Sequence, residues 1–355
     1  METLFNLDLL NYDCTLPVYS RPSVRGIIMY NDLIALVYSH KYQYYKFPGG
    51  GINDGEKQEE TLLREVKEET GLNVLLDSIK PYGKVKRRQK SNKGIFEQEN
   101  YYYLCKVDGS IEEQKLDEYE DEEGFELQFV TIQKAIEVNR QCKELNDSYI
   151  VMVERDTRIL ERLIHQEEIP TVLFADLLLE EGWKKNIGPW KDHSKNVALA
   201  AKQIAHNCGM EEEKAYVLGL LHDIGRQFGV TDLAHVYDGY HYMMSMNYPA
   251  VAKICLTHSF NLQDFNDFIG KIDISEEKVE EIKTLLSQQI YDDYDYLISL
   301  SDSLGMHTGI VDIITRMSDV KRRHGYYPES KWNQNLYLQS YFKAKEIEYN
   351  RKKGL

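Results

Sequence analysis

The chain changes texture near its middle. Between residues 20 and 135, apolar and polar positions alternate in short runs, the period of half-buried strands. Arg25–Tyr30 and Leu33–Ser39 read as two strands around Asn31-Asp32, a pair suited to a tight hairpin. Tyr101–Val107 and Phe125–Val130 read as two more. One helical segment, Glu59–Thr70, interrupts them and stops at Gly71, the residue type that best tolerates the left-handed position after a helix. From about residue 152 the period is helical, over Asp156–His165, His193–Asn207, Glu211–His222, Tyr248–His258, Glu276–Gln289 and Tyr294–Leu304. Ile169-Pro170 breaks this series and marks a boundary. The pattern predicts an α+β multidomain chain: a mixed-sheet α/β domain over 1–150, a helical linker over 151–170 and an all-α domain over 171–355.

Composition narrows this picture without changing it. A length of 355 residues suits two domains, and 42% hydrophobic residues suffice for packed cores. The net charge of −15 argues against a general nucleic-acid binder, while leaving room for a phosphorylated small molecule held through a cation. Cys14, Cys105, Cys142, Cys208 and Cys255 are scattered, with no C-x-x-C pair, and read as reduced buried thiols. The N-terminus lacks a basic start and apolar core, and no apolar run nears the roughly 20 residues of a membrane span. The expectation is a cytoplasmic protein, compatible with a homodimer, acting away from membranes.

Residues 50–72 read GGINDGEKQEETLLREVKEETGL. On a helix, Glu65, Glu68 and Glu69 stand at i, i+3 and i+4, so three carboxylates share one face. Their mutual repulsion is relieved by a hard divalent cation with oxygen ligands, and Mg²⁺ bridging to phosphate is the usual solution. Gly49, Gly50 and Gly51 let the preceding loop bring its backbone close to a substrate. This segment resembles the Nudix box, G-x5-E-x7-R-E-U-x-E-E-x-G-U with U aliphatic, and fills every fixed position from Gly50 to Leu72. The resemblance implies an α/β/α sandwich with a mixed sheet. It also implies Mg²⁺ (or Mn²⁺) held by Glu65, Glu68 and Glu69, Arg64 paired with the glutamates, Glu56 orienting Arg64, and Gly50 and Gly51 against substrate. Nearby, Lys84–Lys93 reads as a soluble hairpin tip or a phosphate grip, and Glu118–Glu123 as a solvated loop. Glu120, Glu122 and Glu123 in that run could otherwise supply a further base or ligand.

The helical half has a different chemistry. His193 opens one helix, His222-Asp223 closes an apolar one and Asp302 lies in another. Imidazole and carboxylate contributed by three helices make a metal-site composition. The strings Asp192-His193-Ser194, Leu220-Leu221-His222-Asp223-Ile224-Gly225-Arg226 and Leu300-Ser301-Asp302 resemble the HD-domain metal-dependent phosphohydrolases over roughly 185–325. That resemblance makes His193, His222, Asp223 and Asp302 metal ligands. It gives His235 and His258 to a second ion, with Asp223 catalytic and bridging. Arg226 reads as a phosphate contact or as a helix-end charge. Nitrogen-rich ligation points to one or two ions among Mn, Fe, Co, Ni and Zn. His40, His165, His206, His241, His307 and His324 receive no role.

Together the two resemblances imply a two-headed hydrolase of nucleotide-type small molecules. One half would cleave a phosphoanhydride of a nucleoside-diphosphate-linked substrate; the other would hydrolyse a phosphate ester or anhydride. The alternative is that one domain senses a nucleotide and regulates the other.

Overall fold

In the first half, β-branched and aromatic runs pair into one mixed sheet. The computed structural model describes residues 1–353. The strands are β1 (Thr3–Asp8), β2 (Val18–Ser20), β3 (Ser23–Tyr30), β4 (Leu33–Ser39), β5 (Tyr44–Lys46), β6 (Leu72–Val74), β7 (Lys80–Ser91), β8 (Gly94–Cys105), β9 (Val107–Ile111) and β10 (Phe125–Val130). The main sheet runs β1-β7-β8-β3-β4-β10, with β2 also on β8 and β5 on β4. The β3–β8 and β1–β7 pairs are parallel, while β3–β4, β7–β8 and β4–β10 are antiparallel. The hairpin at Asn31-Asp32 is as expected, with Asn31 at φ +53°.

Helix α1 (Gln58–Thr70) covers one face. Its Leu62 and Val66, four residues apart, bury against Val24, Ile28, Ala35, Tyr103 and Cys105. Tyr102, between two residues of that face, points the other way, and its hydroxyl donates to Asp156 on α4 (Asp147–Leu163). Helices α1 and α4 therefore sandwich the sheet. Helix α4 is unusual in burying Glu154, Arg155, Asp156, Arg158 and Glu161, each at most 1% exposed. Buried charge persists only when paired. Arg155 Nε reaches Asp156 at 2.8 Å, Arg158 reaches Glu168 at 2.7 Å, and Arg140 on α3 (Ile132–Arg140) bonds Glu161.

Helix α4 begins nine residues before its expected start at Asp156 and belongs to the first compact unit, which runs to Phe174; the second starts at Ala175. We propose a domain boundary there rather than at 150, with no separate linker over 151–170. The basic run Lys84–Lys93 is mostly strand β7 rather than a tip. Lys84 and Lys86 lie 2.6 and 3.6 Å from Glu99 across the β7–β8 ladder, and Arg88 lies 3.6 Å from Glu97. The acidic run forms a short helix, α2 (Glu118–Glu123), instead of a loop. Among the cysteines, Cys105, Cys142 and Cys255 are buried and Cys208 is half-buried, but Cys14 is exposed, contrary to the expectation for all five.

The second half is helical: α5 (Val172–Lys185), α6 (Trp190–Cys208), α7 (Glu212–Leu221), α8 (Ala234–Ser245), α9 (Pro249–Thr257), α10 (Glu276–Gln288), α11 (Asp293–Asp302), α12 (Ile313–His324) and α13 (Glu329–Lys353). A two-residue antiparallel pairing, Gly305–Met306 with Gly309–Ile310, is its one strand pairing among the described residues. A core of Leu233, Val236, Leu256, Phe260, Ile282 and Leu286 joins α8, α9 and α10. Gly225 lets α8 approach the turn after α7, since a Cβ there would lie 2.0 Å from the His235 carbonyl. That contact sets His235 beside the His222-Asp223 turn. Among the described residues, no helix is long and apolar enough to cross a membrane.

Candidate functional site

On α1, Arg64 gathers the acidic residues. Its Nε and Nη2 each lie 2.8 Å from the two oxygens of Glu56, a bidentate clamp. Its Nη1 donates to Glu65 at 2.7 Å and Glu68 at 3.1 Å. The Arg64 hydrogen bond holds the Glu56 carboxyl down at about 2. Burial pushes the Glu65 carboxyl up, against Arg64. Gly50 packs on that carboxyl, where a Cβ would lie 2.2 Å from Oε2, so a side chain is excluded at this loop position. Gly51 sits beside the Arg21 guanidinium and bridges to Ser23.

Glu69 stands apart from this group. It is 1% exposed; Lys46 Nζ lies 2.7 Å from Oε1, and the Gly49 N–H donates to Oε2 at 2.9 Å. The three glutamates share a helix as expected, but Arg64 holds Glu65 and Glu68 whereas Lys46 holds Glu69. Lys46 had no assigned role in the sequence; its one signal is a cation inside the apolar run Tyr44-Tyr45-Lys46-Phe47. The loop itself is anchored from behind. Arg25 donates to the Gly49 carbonyl, and the Phe47 N–H donates to Asp156 at 3.2 Å. Glu120 is also buried near Glu69, and burial together with Glu69 raises its carboxyl. Glu123 is instead tied to the hydroxyls of Tyr44 and Tyr149, and Glu122 is exposed. The oxygen-only set around Glu65, Glu68 and Glu69 suits a hard divalent ion. Lys46→Met should strand the buried Glu69 carboxylate and cost up to roughly 3–5 kcal/mol without metal. Thermal unfolding in EDTA and in Mg²⁺ checks this: the loss should shrink when Mg²⁺ is present.

In the second half, four histidines face one carboxylate. His235 Nε2 and His258 Nε2 lie 3.1 and 3.5 Å from Asp223 Oδ1; His193 Nε2 and His222 Nε2 lie 3.9 and 3.8 Å from Oδ2. Asp302 Oδ1 is 3.0 Å from His193 Nε2 and 3.9 Å from His222 Nε2. Two donor groups result, His193/His222/Asp223 and Asp223/His235/His258, sharing Asp223. Each ring is fixed at its other nitrogen by a backbone carbonyl: Gly305 for His193 (3.2 Å), Gly219 for His222 (2.7 Å), Asp232 for His235 and Ile254 for His258 (3.1 Å). Those contacts place the proton on Nδ1 and leave every Nε2 lone pair facing inward.

The fit to a cation is chemical. Burial pushes the His222 imidazole down to about 4 and, with Arg226, lowers His235, so both are neutral near pH 7. Burial alone would raise Asp223 and Asp302. The Arg226 guanidinium outweighs it at Asp223 and holds that carboxyl below the usual carboxylate range. Neutral imidazole lone pairs opposed to carboxylate oxygens repel unless a cation lies between them. His222 Nε2 is buried with no hydrogen-bond partner. His222, His258 and Asp302 also stand at the C-terminal ends of α7, α9 and α11, where helix dipoles favour positive charge. Arg226 Nε bonds Asp223 at 2.5 Å, and its side chain lines a 710 Å³ cavity above the cluster. His307 and His324, given no role from sequence, line the same cavity.

Fold and donor sets define a chain with two candidate metal-donor clusters, one of carboxylates on a helix under a glycine loop, the other of imidazoles and aspartates at helix ends. Family models match accordingly: the NUDIX domain over residues 20–152 and the HD domain over residues 190–304. The chain carries a NUDIX domain followed by an HD domain, and both families are divalent-metal-dependent. It is 46% identical over 54 residues to an RNA pyrophosphohydrolase of Ectopseudomonas mendocina (strain ymp), covering 15% of this chain and 33% of that protein. It is 44% identical over 45 residues to an 8-oxo-dGTP diphosphatase of Proteus vulgaris, covering 12% of this chain and 40% of that protein. The chain thus spans only about a third of the length of the first of these relatives. Among solved structures, a MutT protein from Bacillus halodurans aligns at 18% identity with a TM-score of 0.31, covering 42% of this chain and 85% of that one. A NUDIX hydrolase from Nitrosomonas europaea aligns at 19% with a TM-score of 0.30, covering 40% and 90%.

Proposed function

We propose that the protein is a two-headed metal-dependent phosphohydrolase acting on nucleotide-type small molecules. The observation that carries this reading is the convergence of four outward-fixed imidazoles on Asp223, with Asp302 closing the set. The first half rests on Arg64, which holds Glu56, Glu65 and Glu68 opposite the Gly50 loop. The relatives named RNA pyrophosphohydrolase and 8-oxo-dGTP diphosphatase support a nucleotide phosphoanhydride as its substrate class.

In this reading Glu65, Glu68 and Glu69 hold Mg²⁺ or Mn²⁺. His193, His222, Asp223 and Asp302 hold one transition-metal ion, and His235 and His258 share Asp223 around a second. Divalent ions at such sites supply the charge that polarises a phosphate and eases attack by water. The chain's own groups do the rest. Arg64, fixed by Glu56, keeps Glu65 and Glu68 together and offsets their repulsion. Gly50 and Gly51 admit the substrate's phosphates to the backbone. In the second half, Arg226, bonded to Asp223 and lining the cavity, would meet a phosphate there. Water attacks phosphorus, the P–O bond to the leaving group breaks, and two products part with one proton released.

The Lys46–Glu69 pair favours a second reading, in which the NUDIX half binds a nucleotide without turning it over and regulates its neighbour. A panel of nucleoside polyphosphates, ADP-ribose and dinucleotides, with products identified, separates the two. Mg²⁺-dependent product from the wild type is the expected result. Tight binding with no product would overturn hydrolysis in that half.

A further inference from the structure

The cavity above the Asp223 cluster is walled by cations that lie outside the span matching the HD family. That span ends at residue 304, whereas Arg316, Arg322 and Arg323 stand on α12 and Lys331 on α13. All four line the cavity. The three guanidiniums share one carboxylate, Asp319, at 3.8, 2.5 and 3.0 Å. Arg316 also reaches to 3.8 Å from Asp302, which links this wall to the metal-type cluster. Three guanidiniums crowded on Asp319, with only Arg316 also near Asp302, repel one another in the absence of another anion. Arg322 and Arg323 are 80% and 49% exposed, so their pairing with Asp319 is weak and readily exchanged for a stronger anion.

Lys331 adds an independent observation. Its ammonium donates to the carbonyls of Ser259 (2.6 Å) and Asp267 (3.3 Å), and no carboxylate among the described residues pairs with it. Burial pushes it down to about 8, and an anion beside it would raise it again. In a chain of net charge −15, a cavity wall in which four cations face Asp319 and the edge of Asp302 is locally positive. A single phosphate held at the Asp223 cluster and Arg226 would leave the α12–α13 wall without an anion.

We infer that the HD half takes a small molecule bearing at least two phosphate groups. One lies over the Asp223 cluster, and the other or others lie on Arg316, Arg322, Arg323 and Lys331. The inference rests on the phosphohydrolase reading of this half but is tested by binding. Calorimetry on the full chain with Mn²⁺ compares inorganic tripolyphosphate with orthophosphate, in the wild type, in Arg322→Ala/Arg323→Ala and in Lys331→Met. The NUDIX half is common to all three and cancels in the comparison. The tripolyphosphate advantage should fall about 10-fold in the double variant, whose exposed positions are safe for folding, with bound metal unchanged. An undiminished advantage in both variants would overturn the inference. Absence of any Asp223-dependent phosphate release would overturn the hydrolase reading instead, while leaving the binding result interpretable.

Discussion

Asp223→Ala should empty both metal positions of the HD half and lower its phosphate release by roughly 10²–10⁴-fold, the scale for losing a group that acts directly on the reacting charge. The size follows from sharing. Asp223 is the one residue common to both donor groups, with Oδ1 toward His235 and His258 and Oδ2 toward His193 and His222. Removing any single histidine leaves one group whole; removing Asp223 leaves neither. The substitution also frees Arg226, whose Nε bonds Oδ2, so some stability is lost along with the metal. Asp223→Asn separates these effects, because it keeps the shape and a hydrogen-bond acceptor but not the charge. Metal content by elemental analysis should fall in both variants, and the Mg²⁺-dependent reaction of the NUDIX half should stay at the wild-type rate. Parental metal content in Asp223→Ala would refute the ligand set.

The parts of these sites that were legible in the sequence are those built by local spacing. Glu65, Glu68 and Glu69 recur at helical intervals, and Gly71 takes the left-handed conformation at φ +71°, so α1 and its acidic face could be placed within a residue. The His222-Asp223 turn was equally readable, because it closes an apolar helix that ends at Leu221. What stayed hidden depends on residues far apart in sequence. Asp156 supports the loop before Gly50 from more than a hundred residues away, inside a helix that begins at Asp147, earlier than the sequence pattern placed it. Lys46 meets Glu69 only because β5 runs beside the end of α1. The basic run on β7 read as a soluble hairpin tip or a phosphate grip, and its partners Glu97 and Glu99 became visible only on the neighbouring strand. The reverse holds for Arg316, Arg322 and Arg323. Nothing in the sequence singled them out, and only the packing of α12 and α13 around the cavity gives them a common target.

Glu68→Gln should reduce turnover by the NUDIX half by roughly 10²–10⁴-fold while leaving the fold intact. The structure makes it a cleaner test than Glu69→Gln. Glu68 is 41% exposed and its contact is one 3.1 Å bond to Arg64, which keeps its bidentate hold on Glu56 and its bond to Glu65. Loss of one surface carboxylate there costs at most about 1 kcal/mol of stability, so any collapse of rate reports chemistry. Glu69 is buried, and its carboxylate carries both Lys46 and the Gly49 N–H. Glu69→Gln therefore leaves a buried ammonium without its counter-charge and loosens the loop, and a slow variant could be slow for either reason. The two are separated by measuring melting temperature and turnover together. Glu68→Gln is expected to melt with the wild type and turn over slowly. Glu69→Gln is expected to melt lower and turn over slowly. Wild-type turnover in Glu68→Gln would remove the carboxylate face of α1 from the chemistry, whatever Glu69→Gln did.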